Sequence, residues 1–125
     1  MSDNIIKDKS FAFALRIIRM YQYLREQKSE FVLSKQVLRS GTSIGANVRE
    51  AEHAQSDADF IHKMNIALKE ANETEYWLEL LFQSDYIEES QYDSIIADCR
   101  ELNKLLISIV KTMKKRVQPM KDNNF

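Results

Sequence analysis

The sequence predicts an all-α protein, an antiparallel up-down-up-down four-helix bundle. Three observations predict it. The 125-residue chain holds only two glycines and one proline, whereas an all-β domain needs a turn about every 8–12 residues. Its apolar residues recur at helical spacing in four long segments. The connections between these segments are short, so consecutive helices become antiparallel neighbours. The length suits one domain, 1–125, with a core of ordinary size.

The first helix is expected over about 9–28. Phe11, Leu15 and Ile18 form one apolar column, and Ala14, Ile17, Tyr21 and Leu24 form the next. Together they predict a broad core-facing stripe, wider than a four-helix core demands. Ser29 is the expected N-cap of the second helix, about 30–55. Its stripe runs Leu33, Val37, Ser40, Ile44, Asn47, Ala51, Ala54. Ser56 followed by Asp59 approximates a capping box and opens the third helix, about 57–84. There Phe60, Met64, Ala67, Ala71, Thr74, Leu78 and Leu81 fall in heptad register. The fourth helix, about 88–117, carries Tyr92, Ile95, Ile96, Cys99, Leu102, Leu106, Ile109, Val110 and Met113. Pro119 and Asn123-Asn124 are expected to end the order, leaving a disordered tail after about 118.

The stretch RSGTSIGANVREAE, residues 39–52, breaks the simple pattern. Gly41 and Gly45 sit one turn apart, and each costs up to about 1 kcal/mol of helix propensity relative to Ala. A close approach by another backbone or a bulky side chain offsets that, and Tyr21, Trp77 and Tyr92 are candidates to fill the space. Ser40 and Asn47 lie in the expected buried stripe, where an unpaired polar group costs about 1–3 kcal/mol. Both therefore need partners. With the second and third helices antiparallel about a turn near residue 56, Glu73 comes level with Arg39 and Ser40. Glu73 is expected to meet Arg39, Ser40 or Ser43 across the interface. Such pairings set register. The alternative is that Asn47 and Glu50 face a binding groove.

The charges are segregated. Residues 7–49 hold nine Lys/Arg against three Asp/Glu, and residues 50–101 hold three against fourteen. Residues 102–121 hold six basic residues and no acidic ones, and the whole chain comes to −1. One reading is a basic face; the other is self-complementarity, with basic helices beside an acidic one. The run KTMKKRVQPMK carries Lys111, Lys114, Lys115, Arg116 and Lys121, which can dock phosphates with salt-sensitive affinity or simply complement a helix C-terminus. Arg16 and Arg19 extend this surface if the first and fourth helices are adjacent. Aromatic residues are not interleaved with these charges, which argues against sequence-specific single-strand reading.

No enzyme is expected. Glu50-Ala51-Glu52-His53 and Asp59-Phe60-Ile61-His62 have the spacing of carboxylate-x-x-His metal elements, but both flank a turn rather than the bundle middle. No metal and no cofactor are implied. Gly41-Thr42-Ser43-Ile44-Gly45 lies inside a helix and is no phosphate loop. Cys99, the only cysteine, sits in an apolar stripe and reads as a buried thiol. No intrachain disulfide can form, no run approaches the roughly 20 apolar residues of a membrane span, and the first ten residues lack a signal-peptide core. A cytoplasmic protein without a membrane role is expected.

The runs LSKQVLRSGTSIGANVREAE and IALKEANETEYWLELL resemble the bacterial four-helix-bundle family encoded in intervening sequences of large-subunit ribosomal RNA genes. The accessory protein of diversity-generating retroelements is similar to it. The resemblance rests on Arg39-Ser40, Ser43-Ile44, Asn47-Val48, Glu50, Ile66-Ala67 and Glu73. Ala51 stands where many members have Gly, and the near-neutral charge departs from their strongly basic surface. The resemblance implies a homo-oligomer, typically a pentamer, and a non-catalytic scaffold. RNA or DNA and a reverse transcriptase are the partners it implies in the retroelement branch. The sequence thus points to a self-assembling scaffold open to non-specific RNA or DNA binding. The alternative is a protein–protein interaction scaffold with no nucleic-acid role. Assembly surfaces are sought in the double stripe of the first helix and in Tyr76, Trp77, Phe82 and Tyr86.

Overall fold

The structure, a computed structural model, describes residues 2–117, with side chains from residue 5 onward. The expected end of order at Pro119 and Asn123-Asn124 lies outside these residues. Four helices are formed among the described residues: α1 (Ser2–Lys28), α2 (Leu33–Ala51), α3 (Asp57–Gln83) and α4 (Glu89–Val117). Helix α2 packs against α1 and α3, and α3 packs against α4. Helix α4 closes more lightly onto α1, and the pairs α1/α3 and α2/α4 lie across diagonals, without close backbone approach among the described residues. Cross-helix partners run in opposite order, as Glu50–Lys63 and Arg39–Glu73 do between α2 and α3. This is the antiparallel four-helix bundle that the spacing predicts.

Helix α1 starts at Ser2, well before the expected residue 9. Ile6 explains the extension, because it continues the buried column Phe13, Ile17, Leu24 by two turns. The column Phe11, Leu15, Ile18 is not core, contrary to the broad stripe expected. It is 51%, 40% and 38% exposed. The core is narrower than the apolar content of α1.

The start of α2 also differs from expectation. Ser29 is no N-cap; it takes a left-handed φ of 50° at the end of α1. The buried Glu30 does the capping instead. Its carboxylate accepts from the backbone N–H groups of Val32 (3.1 Å), Leu33 (2.9 Å) and Ser34 (2.7 Å). One side chain satisfies three donors that a helix start leaves open, and its negative charge suits the helix N-terminus. Helix α2 ends at Ala51, earlier than expected, where Glu52, His53 and Ala54 bond back three residues to Arg49, Glu50 and Ala51. Those bonds tighten the last turn and end the α-helix there.

The other ends follow from local chemistry. Ser56 caps α3 and accepts from the Asp59 N–H at 3.0 Å, as the spacing predicts. Asp85 ends α3 with φ 68°, and the N–H groups of Asp85 and Tyr86 bond the carbonyls of Phe82 and Leu81. This paired pattern is a Schellman motif, with Asp in the left-handed position that Gly usually takes. Gln91 reaches back to the Glu88 N–H (2.8 Å) and starts α4. The buried residues of α3 are Met64, Ala67, Ala71, Thr74, Leu78 and Leu81, as the heptad predicts, with Phe60 only half-buried beside them.

Candidate functional site

The two glycines of α2 face α1. A Cβ on Gly41 would lie 2.7 Å from Ile17 Cγ1, and one on Gly45 would lie 3.4 Å from the Ser10 carbonyl. Ile17 and Ser10 therefore fill the small-residue patch. Tyr21, Trp77 and Tyr92, the candidates from sequence, do not stand first against it. Helix α1 comes close to the α2 backbone here because neither glycine carries a side chain.

The polar motif faces α3. The buried hydroxyls of Ser40 and Thr74 are 2.9 Å apart, and Thr74 also bonds the Glu70 carbonyl at 2.8 Å. Glu73 Oε2 accepts from Arg39 (3.4 Å) and from the Trp77 indole N–H (3.1 Å). The expected meeting of Glu73 with Arg39 is therefore present, and Thr74 is the partner of Ser40. Ser43 donates to the Arg39 carbonyl (2.6 Å). Asn47 donates to the Ser43 carbonyl (2.9 Å). Asn47 thus bonds its own helix and is only half-buried; Val48 takes the core position. Glu50 lies on the surface and pairs with Lys63 at 3.0 Å. That hydrogen bond, more than the charge alone, holds the Lys63 ammonium above its ordinary range.

The basic residues do not form one surface. Arg16 is bonded to Asp98 (2.8 Å) and to Ser94 on α4. Arg19 lines a groove of about 300 Å³ between α1 and α4, floored by Met20, Tyr23, Ile87 and Ile95. Lys111, Lys114, Lys115 and Arg116 are exposed at the other end of α4. Along a helix, the span from Asp98 to Lys114 is about 24 Å at 1.5 Å per residue. Lys7, Lys9, Arg16 and Arg39 pair with Glu52, Glu101, Asp98 and Glu73. The basic first segment thus packs against the acidic middle one, which is the self-complementary reading of the charge pattern.

A larger groove of about 800 Å³ opens at the end of the bundle where α2, α3 and α4 meet. Val48, Ala51, Phe60, Met64, Ile109 and Met113 line it, with Arg116 at its edge. Glu52, Ser56, Asp57, Ser108 and Thr112 add polar groups to its lining. Among the described residues, no group of three His, Cys, Asp or Glu side chains could hold a metal ion. His53 and His62 are both exposed. Cys99 is buried against the Ala71 carbonyl, and burial pushes its thiol up to about 12, with nearby Glu75 adding to the effect. A thiol held protonated is no nucleophile at neutral pH. None of the helices described is long and apolar enough to cross a membrane.

Sequence reasoning missed one arrangement. The exposed column Phe11, Leu15, Ile18 is framed by stacked guanidinium groups. Arg49 lies 5.2 Å over the Phe11 ring. Arg25 lies 5.1 Å over Phe31 and 5.3 Å over Tyr21. Phe31 is itself exposed. The spacing of 11, 15, 18 and 25 places Phe11, Leu15, Ile18 and Arg25 on one line of α1, while Arg49 comes from α2, Tyr21 from the adjacent line and Phe31 from the turn that follows α1. That spacing is visible in the sequence; which side of α1 it faces is not.

Comparison with known proteins agrees with this architecture. No curated protein matches the chain. The chain is similar to a crystal structure of a protein of unknown function from the S23 ribosomal protein family of Bacteroides thetaiotaomicron VPI-5482. The two share 67% identity with a TM-score of 0.88, over 89% of this chain and 99% of that one. Residues 2–108 match the family described as 23S rRNA-intervening sequence protein. With the match spanning most of the bundle, the chain belongs to the 23S rRNA-intervening sequence protein family.

Proposed function

We propose that the protein is a non-enzymatic, self-assembling helical scaffold that associates through the outer face of α1. The observation that carries this reading is the exposed column Phe11, Leu15, Ile18. A contiguous apolar strip framed by ordered cations is costly to leave in water, and such strips mark interaction sites. A homo-oligomer buries it, and a pentamer is the assembly that the family resemblance implies. Nothing about this face needs a substrate or a cofactor.

Non-specific RNA or DNA binding is the second activity in this reading, carried by Lys111, Lys114, Lys115 and Arg116. These four make no ion pair among the described residues, so they are available to phosphates. Arg16 is held by Asp98 and contributes little; Arg19 lies too far along the bundle to share one phosphate run. A reverse transcriptase is the protein partner that the resemblance suggests. The alternative, a protein–protein scaffold with no nucleic-acid role, draws support from the internal pairing of six other cations.

Light scattering of the purified protein, alone and with a structured RNA or a DNA duplex at low and physiological salt, tests both parts. A defined oligomer that Leu15→Glu converts to monomer supports assembly through α1. A wild-type monomer overturns it. Binding that falls steeply with salt, and falls again in Lys114→Ala/Lys115→Ala, supports the nucleic-acid role. An oligomer with no such binding selects the protein scaffold.

A further inference from the structure

We infer that the surface covering the α1 column in the assembly is the acidic, aromatic flank of α3 on a second copy, so that the interface is head-to-tail. This rests on the reading that α1 is an assembly face. Three observations lead to it. Tyr76 is the one large apolar residue of α3 that is strongly exposed among those described, at 55%. It packs edge-on against Trp77, with ring centroids 5.2 Å apart, and the Glu73 carboxylate holds the Trp77 indole. Tyr76 is therefore a supported platform at the surface, not a loose side chain.

The second observation is charge. After the internal ion pairs are formed, the α1 side keeps Arg25 and Arg49 without carboxylate partners among the described residues. The α3 side keeps Glu79, one turn beyond Tyr76, and Asp85, Glu88 and Glu89 around the α3–α4 turn, all exposed and outside those pairs. With other unpaired charges counted, Asp8, Arg19, Glu26 and Lys28 on α1 and Lys69 on α3, the α1 flank keeps a net positive charge and the α3 flank with its turn a net negative one. Opposite potentials across an interface steer docking and fix its register.

The third is position. Helices α1 and α3 occupy diagonal corners of the bundle, with no close backbone approach between them among the described residues. One protomer can therefore present both flanks at once without overlap. That geometry is what a heterologous interface requires, because each copy must offer two different patches. An isologous α1-to-α1 contact would use only one of them and would leave Tyr76 and its carboxylates uncovered.

A mixing experiment decides between these arrangements. The first variant, Leu15→Glu, damages the α1 flank; Arg49→Glu is its charge-only counterpart. The second, Tyr76→Ala/Glu79→Lys, damages the α3 flank. All these positions are exposed, and circular dichroism checks that helicity is kept. Light scattering then reads mass against the 14.7 kDa chain. The expected result is that each variant alone is monomeric and that an equimolar mixture of Leu15→Glu with Tyr76→Ala/Glu79→Lys has twice the chain mass. Each chain in that mixture supplies one intact flank. If Tyr76→Ala/Glu79→Lys assembles like wild type while Leu15→Glu does not, the α1 face stands and the α3 counter-surface is overturned. If wild type assembles and neither variant changes it, both are overturned. If wild type is itself monomeric, the assembly reading fails and this inference falls with it.

Discussion

The two flanks of α2 solve the same packing problem differently. Toward α1 the helix removes side chains: Gly41 and Gly45 let Ile17 and the Ser10 backbone come close. Toward α3 it keeps polar side chains and pairs them: Ser40 with Thr74, Arg39 with Glu73 and Glu50 with Lys63. The first flank depends on shape and tolerates almost no added volume at Gly41. The second depends on partners and tolerates volume better than the loss of one member of a pair. Close packing responds to a single methyl group, whereas exposed polar pairs contribute modestly.

The largest effect is expected for Gly41→Val. A Cβ there already meets three atoms of the fully buried Ile17 within 3.1 Å. Overpacking is expected to destabilise by about 3 kcal/mol, offsetting any gain in helix propensity. Urea denaturation measures it, and Ile17→Val in the same chain should recover part of the loss. If Gly41→Val is as stable as wild type, the close approach is not a constraint.

Next is Thr74→Val, which leaves the buried Ser40 hydroxyl without its cross-helix partner. The expected loss is about 2 kcal/mol, the range for an unsatisfied buried group. Adding Ser40→Ala should restore most of it, because removing both partners removes the penalty. A double mutant no more stable than the single one would mean that Thr74 acts through volume. Arg39→Ala is expected to cost at most about 1 kcal/mol, since its side chain is 63% exposed and the pair is solvent-screened. A loss well above that would make the Arg39–Glu73–Trp77 cluster more than a surface contact.

The smallest effect has the opposite sign. Gly45→Ala places a methyl group at ordinary contact distance from Ser10, 3.4 Å. It should stabilise by up to about 1 kcal/mol through helix propensity and the lost freedom of the unfolded chain. A destabilised Gly45→Ala would show that both glycines, and not Gly41 alone, are set by the approach of α1.

Legibility in the sequence varied along the chain for physical reasons. The stripe of α3 was readable residue by residue, because its apolar positions occupy one column with polar neighbours on both sides and a Ser56 cap before it. The meeting of Glu73 with Arg39 was readable too, since antiparallel neighbours with a short turn have a calculable register. The face of α1 was not. Its two adjacent columns are equally apolar, so spacing alone cannot say which one turns inward. Asn47 was misplaced by one residue against Val48 because a half-buried amide bonded within its own helix looks, in a string, like a core polar residue. The cap of α2 was missed for a related reason. A Ser before a helix is the common signal, but the longer Glu30 side chain reached three backbone donors from an earlier turn.

The helical class, the four segments and the antiparallel register between α2 and α3 are legible in the amino-acid order alone. These follow from covalent spacing along one chain. The tertiary structure decided which column of α1 meets water, which cations are held by internal carboxylates, and that Tyr76 and Phe11 stand at diagonal corners. Each of those depends on where a second helix comes to rest. Burial and pairing are relations between segments, and helical periodicity describes only one segment at a time.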